Sequence, residues 1–491
     1  MKNNLEPNKK LIDMYELSVN NIIVDVSIYS DENEPVALYN ISITNISETT
    51  KIILEKIREE FVSQETKGLK EKEILEIGNI QEQFKLNIFN LLQKYFPTAN
   101  RKTMDMLLNY VLQQNIGLGN LEILLKDGNL EEIVINNAKE PVWVYHRKYG
   151  WLKTNVRISD EARVRHYSTI IGRDVGKEIT MLNPLMDAHL KTGDRVNATL
   201  SPISSRGNTL TIRKFAVKPW TITDFIKDNT ISYEAAALIW MAVQNELSIV
   251  ISGGTASGKT SMLNVVANFF PPNQRIISLE DTRELMLPDN LHWVPLETRL
   301  PNPEGKGGIS MLDLVINSLR MRPDRIVVGE IRRKAEAEVL FEAMHTGHSV
   351  YGTLHANNVR ETINRLTHPP IDLPKQVLSA LSLIVVQHIN RRNGKRRTLQ
   401  IGEVLPNGDA HAIVQWNAVN DTLEKISEPS TIYETLNLYI GLSKERIQED
   451  INEKIGILKW MAEKGITDLN KIGSIMSNYY RKKPLEGAMR R

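Results

Sequence analysis

Residues Gly253, Gly254, Thr255, Ala256, Ser257, Gly258, Lys259 and Thr260, followed by Ser261, satisfy G-x-x-x-x-G-K-[ST] at every fixed position. Glycines at these spacings let the backbone bend so that successive N–H groups point inward at phosphate oxygens. The Lys259 ammonium would reach β- and γ-phosphates, and the Thr260 hydroxyl would ligate Mg2+. A cradle alone does no chemistry, and four further stretches carry groups suited to it. Glu280-Asp281-Thr282-Arg283-Glu284 could orient water on Mg2+ or on a γ-phosphate; a charged loop is the competing reading. Arg325-Ile-Val-Val-Gly-Glu330 is an apolar run ending in a carboxylate, the pattern of a Walker B strand. Gly329 stands where the strand-end aspartate usually is, which puts direct carboxylate help to Mg2+ in question and leaves Glu330 to polarise an attacking water.

His345-Thr-Gly-His348 and Thr353-Leu-His355-Ala356 place three histidines close together. Zinc is the obvious thought, but the spacing is not H-E-x-x-H and the chain has no cysteine. Imidazoles that hydrogen-bond a γ-phosphate and change partners when it leaves fit better; a core histidine is the bland alternative for each. Arg195, Arg206 and Arg213 precede the loop, and a guanidinium can neutralise charge growing on a transferring phosphoryl group. Arg391-Arg-Asn-Gly-Lys-Arg-Arg397 is the densest basic cluster. Its Asn-Gly centre predicts a hairpin tip, either a solvated turn or a contact for anionic lipid or an acidic partner.

The elements that must hold these groups are legible in the periodicity. Ile249–Ile251 reads as a buried parallel strand and a helical pattern follows from Lys259, the context a phosphate loop requires. Strands are expected at Arg275–Glu280, Arg325–Gly329, Ser349–Leu354 and Leu383–Gln387, separated mostly by helices, which implies a mainly parallel sheet covered on both faces. Upstream, strand-like pieces at Ile22–Ile28 and Val36–Ile43 precede amphipathic helices over Lys51–Leu92, with Lys67–Glu76 read as a solvated face. Strands at Glu132–Asn136, Val142–His146, Arg195–Leu200 and Thr209–Arg213, with a helix at Asp160–Ile171, describe a smaller α/β domain. The expected organisation is an accessory module over 1–100, an α/β domain over 101–218, a linker over 219–230, an ATPase domain over 231–430 and a helical extension over 431–491.

Composition narrows the class. The chain has 491 residues, 41% hydrophobic and 24% charged, which suits a globular protein of two or three domains. Its 61 basic and 59 acidic residues leave a net charge of +2, without the basic field of a nucleic-acid binder. The lack of cysteine excludes disulfides and thiolate metal sites, and suits a reducing cytoplasm. The N-terminus lacks a signal-peptide core, and no apolar run approaches the length of a membrane span. The residues therefore point to a nucleoside-triphosphate-binding protein in which ATP and Mg2+ are the expected cofactors.

Gly253–Thr260, Ile277–Glu284, Arg322–Arg332 and Thr346–Ala356 together, in order and spacing over residues 120–405, resemble the boxes of the type II/type IV secretion ATPase superfamily. The bacterial pilus branch carries a four-cysteine zinc module that is absent here, and the phosphate loop, the acidic box and the helical tail near Trp460–Tyr480 are similar to the archaeal branch. The resemblance implies an α/β fold: a C-terminal RecA-like P-loop core preceded by a smaller, PAS-like α/β domain, with an extra N-terminal module and a helical tail. It implies a homohexameric ring with nucleotide between the two domains, Glu330 as catalytic base, Glu280 and Glu284 in an acidic box, and His348 and His355 in a histidine box. Arg195 and Arg213 map onto arginines that reach the γ-phosphate; Arg206 matches less well. Such a motor would be cytoplasmic, peripheral at the membrane, and would push on a membrane-embedded platform protein to assemble pilus-like filaments or drive secretion. No nucleic-acid partner is expected. A nucleic-acid motor on the same core and a non-hydrolysing nucleotide-gated scaffold are the rival readings. Residues 1–100 match no named module.

Overall fold

The computed structural model describes residues 9–68, 77–115, 117–190, 192–215, 219–299, 301 and 305–482. It divides into two compact units, 1–217 and 218–491. The expected domain end near Lys218, most of the Lys67–Glu76 face and the last residues of the tail lie outside the described residues.

The first unit is built on strands β1 (Lys9–Val19), β2 (Ile22–Asp31), β3 (Leu38–Ile43), β4 (Leu130–Ile135), β5 (Trp143–His146), β6 (Gly150–Thr154), β7 (Leu185–His189), β8 (Arg195–Thr199) and β9 (Thr209–Arg213). They form a single sheet in the order β1-β2-β3-β6-β5-β4-β9-β8-β7. Alternation gives it an inner face: Ile22, Val24, Val26 and Ile28 of β2 are fully buried while the residues between them reach the surface. The helices Glu48–Gly68, Ile77–Tyr95 and Arg101–Asn115 contribute Ile57, Ile88, Leu92 and Leu107 to the same core.

The boundary expected at residue 100 falls inside this unit. β3 pairs parallel with β6, so the first three strands extend the α/β sheet instead of forming a module of their own. A buried polar knot holds that junction: Asp127 Oδ2 accepts from Tyr15 Oη of β1 at 2.5 Å and from Tyr39 Oη of β3 at 2.6 Å. Burial, with the adjacent carboxylate, pushes both phenols well above their ordinary range, so they stay protonated donors.

The second unit has β10 (Ile249–Gly253), β11 (Arg275–Glu280), β12 (His292–Glu297), β13 (Arg325–Val328), β14 (Ser349–Leu354), β15 (Leu383–Ile389), β16 (Arg396–Val404), β17 (Ala410–Asn417) and β18 (Thr422–Lys425). The order is β12-β11-β13-β14-β10-β15-β16-β17-β18. Pairing is parallel from β12 through β15 and antiparallel from β15 through β18. This is the α/β, RecA-like arrangement expected, with an antiparallel extension that the sequence pattern did not announce. The hairpin tip expected at Asn393-Gly394 joins β15 to β16.

Both faces of the parallel part are covered. Ile249, Ile251, Val327 and Tyr351 point into one core, and Val250, Ile326, Val328 and Val350 into another. The first core is closed by Tyr233–Gln244, Lys259–Ala267 and the helices Thr431–Ile440, Lys444–Glu463 and Leu469–Lys482, so the expected C-terminal extension packs as one face of the second unit. Trp240, fully buried, stacks on Phe269 with ring centroids 5.2 Å apart and donates to Tyr480 Oη at 3.0 Å. Tyr480 in turn donates to the Phe269 carbonyl at 2.6 Å. Among the described residues no helix is long and apolar enough to cross a membrane.

Asp127→Ala should destabilise the first unit by roughly 2–4 kcal/mol, because two buried phenols lose their acceptor, whereas Asp127→Asn keeps one and should cost about 1 kcal/mol. Urea unfolding measures this; an unmoved midpoint in the alanine variant would show that the first strands are held by something else.

Candidate functional site

β10 lies between β14 and β15, and its C-terminal end delivers the phosphate loop. Gly253 is required by a close approach: a Cβ there would stand 2.3 Å from Ser257 Oγ and 2.6 Å from the Gln387 carbonyl oxygen of β15. Gly258 caps the helix Lys259–Ala267 with φ of 93°, a left-handed conformation open to glycine. The helix thus begins with its free N–H groups and positive dipole end at the loop.

Lys259, half-buried, donates through Nζ to the carbonyl oxygens of Gly253 and Gly254, each at 3.0 Å. Its pKa is lowered by burial, against which the Glu330 and Glu284 charges act. The same Nζ lies 3.4 Å from His355 Nδ1, just beyond the end of β14. His355 Nε2 lies 3.2 Å from Glu330 Oε1, and Glu330 Oε2 accepts from Arg332 at 2.7 Å. Arg332 also donates to Asp281 Oδ2 at 2.6 Å. Lys259, His355, Glu330, Arg332 and Asp281 therefore form a continuous polar chain across the ends of β10, β14, β13 and β11. Glu330 is held there by its backbone: Gly329 N–H donates to Leu279 O at 2.8 Å, and Ile331 N–H donates to Thr353 O at 2.9 Å.

Glu280, the last residue of β11, is 2% exposed. Its Oε1 accepts from the Glu284 and Leu285 N–H groups at 2.8 and 3.0 Å, while Oε2 has no partner among the described residues. Burial pushes this carboxyl up to about 7 from its ordinary 4.5. A Cβ at Gly329 would lie 3.4 Å from Glu280 Cγ. The side chain missing from the strand-end position of β13 is thus answered by a carboxylate from the neighbouring strand.

The sequence-derived set divides. Gly253 to Ser261, Lys259, Glu280, Glu284, Glu330 and His355 gather at the carboxyl end of the parallel strands, where α/β sheets bind ligands. His348 does not: it precedes β14, at the opposite end, where its Nδ1 is 3.2 Å from the Ala343 carbonyl oxygen. The reason is strand polarity, since residues before and after one parallel strand lie on opposite edges of the sheet. His345 stays at that far edge too, 3.1 Å from the Val377 carbonyl oxygen. Arg195 and Arg213 belong to the first unit, where β8 and β9 pair them side by side. Arg195 makes a two-pronged ion pair with Asp187, at 3.0 and 2.6 Å. Arg206 is exposed and 3.3 Å from Glu140. Asp281 belongs to the acidic stretch expected to orient water, whereas Arg332 and Arg396, the latter donating to Ala256 O at 3.0 Å, have no site role in the sequence reading. The charge density around Arg396 was visible there, its target was not.

A phosphate loop at the carboxyl edge of a RecA-like parallel sheet defines a P-loop nucleoside-triphosphate-binding protein. The chain belongs to the family described as Type II/IV secretion system protein, whose model matches residues 125–464. An uncharacterized protein of Methanocaldococcus jannaschii is 35% identical over 391 residues, 77% of this chain and 70% of that one. The type IV secretion system protein PtlH of Bordetella pertussis is 29% identical over 308 residues, 56% of this chain and 90% of PtlH. The structure of the Legionella pneumophila ATPase DotB overlaps at a TM-score of 0.43 with 18% identity, covering 72% of this chain and 94% of DotB.

Glu280 makes the second unit pH-sensitive with a defined sign. Its raised pKa stabilises the fold fully below pH about 4.5, and that contribution is lost as pH rises through about 7. Glu280→Gln should therefore gain stability relative to wild type between pH 5 and 8, on the order of 3 kcal/mol. Parallel unfolding curves at both pH values would remove Glu280 as the cause.

Proposed function

We propose that the chain is a Mg2+-dependent ATPase that works as a ring motor, a homohexamer, at the inner face of the cell membrane. It drives assembly of pilus-like filaments or protein secretion by pushing on a membrane platform protein. Family membership supports the secretion setting. The observation that carries the chemistry is the convergence of Lys259, His355 and Glu330 at the ends of three hydrogen-bonded strands.

In this reading the backbone of Gly253–Thr260 cradles the phosphates of ATP, and Lys259 leaves the two loop carbonyls for phosphate oxygens. The donor set fits Mg2+. No group of three or more acidic or histidine side chains forms a cage among the described residues, and Mg2+ on a nucleotide needs only one or two protein ligands beside phosphates and water. Thr260 would hold it directly, and the unpartnered Glu280 oxygen would hold one of its waters. When bound, the ion neutralises charge growing on the phosphates. Glu330 takes the proton of the attacking water, with Arg332 and His355 fixing its two oxygens. On ring closure, Arg195 and Arg213 of a neighbouring subunit would complete the site. The Asp187 pair that holds Arg195 is half-exposed and weak, about 0–1 kcal/mol, so a phosphate can displace it. His348, away from this edge, is left to a role outside phosphate contact within its own chain.

A non-hydrolysing scaffold is the second reading, favoured by Gly329; the carboxylate that Glu280 sets beside that position weighs against it.

Lys259→Ala should abolish ATP turnover, whereas Glu330→Gln should bind ATP as wild type does and lose turnover by about a hundredfold or more. Retained turnover in either variant refutes the assigned role. Mixing wild type with Arg213→Ala tests the ring: the inactive chain should poison activity beyond its share, and strictly independent activities would reduce the protein to a monomeric ATPase.

A further inference from the structure

In the basic cluster Arg391–Arg397 the tip is solvated, with Arg391, Arg392 and Lys395 exposed, while Arg396 and Arg397 turn inward. Arg397 is almost fully buried: Nε and one Nη grip the Asp421 carboxylate at 2.7 and 2.8 Å. Its other Nη donates to the Asp228 and Arg396 carbonyl oxygens at 3.0 and 2.7 Å. Thr230 closes the same knot, its hydroxyl donating to Arg396 O at 3.2 Å while its carbonyl oxygen accepts from Thr398 N–H at 2.8 Å. Asn229 donates to the Asp421 carbonyl at 2.6 Å. The backbone of Arg396 is thereby clamped to residues 228–230, the segment that leads from the start of the second unit to the helix Tyr233–Gln244.

From this fixed base the Arg396 side chain crosses to the phosphate loop. Its stem covers Gly258, where an added Cβ would meet Arg396 Cδ at 3.4 Å, and its Nε donates to the Ala256 carbonyl oxygen at 3.0 Å. Ala256 has φ of 62°, left-handed backbone in a residue with a Cβ. That conformation at the loop's apex is strained and persists only where neighbours hold it. Arg396 holds this apex through its carbonyl oxygen, an acceptor that a phosphate oxygen cannot use.

We propose that Arg396 is a positioning residue for the phosphate loop, and that it ties the loop's apex through the Arg397–Asp421 knot to residues 228–230. Nucleotide binding is then felt at the start of the second unit, and movement there changes nucleotide affinity, as linkage requires. This rests on the nucleotide site proposed above.

The test uses the full chain, a non-hydrolysable ATP analogue with Mg2+, and steady-state ATP turnover. Arg396→Ala should weaken analogue binding and raise KM about tenfold, with kcat within about threefold. Arg396→Lys, whose ammonium can reach the Ala256 carbonyl, should recover most of the loss. Saturating analogue should slow hydrogen exchange at the Thr398 amide in wild type, and not in Arg396→Ala. Wild-type affinity in Arg396→Ala, equal losses in the alanine and lysine variants, or a fall in kcat at unchanged KM would each overturn the proposal. Failure of wild type to bind the analogue would instead overturn the nucleotide reading beneath it.

Discussion

The parallel pairing of β14 with β10 on one side and β13 on the other is the constraint on which the site depends. Register fixes it: Ser252 of β10 faces Leu354 of β14, and Val328 of β13 faces Gly352. Each strand ends within a residue or two of the others, so the first side chains past the sheet edge meet. They are the phosphate loop from β10, Glu330 from β13 and His355 from β14. A slip of one residue would turn inward-facing Val250, Val328 and Val350 to the wrong core and withdraw the carboxylate from the imidazole. The apolar registration of the strands and the polar chain at their ends are thus set by the same hydrogen bonds.

Those strands can be apolar on both faces only because both faces are covered. The C-terminal helices close one of them, and Trp240, Phe269 and Tyr480 bind their last turn to the helix that precedes the phosphate-loop strand and to the one that follows it. The buried Arg325 steadies the other end of β13: it donates to Gln274 at 2.5 Å, to the Val243 carbonyl at 2.8 Å and to Tyr351, and lies over the Phe270 ring. A strand whose entry is fixed by a guanidinium and whose exit presents Glu330 leaves that carboxylate little freedom to drift, which positional catalysis demands.

The first unit solves a different problem. Its sheet is open on one face, and its first three strands would expose a long edge if they stood alone. Pairing β3 to β6 removes one edge, and Asp127 collects phenols from β1 and β3 in the space between sheet and helices. Arg195 and Arg213 sit at the other end of that sheet, on neighbouring strands.

The sequence determined what depends on neighbours in the chain. The phosphate loop, its strand and helix, the Walker B strand with Glu330, the hairpin at Asn393-Gly394 and the alternation of strands and helices all follow from local spacing, because phosphate cradles and amphipathic periods are local properties. From sequence alone His348 and His355 belong together at the phosphate; it is the polarity of the strand between them, in its place in the parallel sheet, that puts them at opposite ends. What the chain could not reveal was where distant residues meet. That Asp127 receives Tyr15 and Tyr39, that Glu280 stands beside Gly329, that Arg332 bridges Glu330 to Asp281, and that Arg396 reaches Ala256 were decided by strand order. Strand order is fixed by the burial of whole faces, which is a property of the assembled sheet and of no single segment.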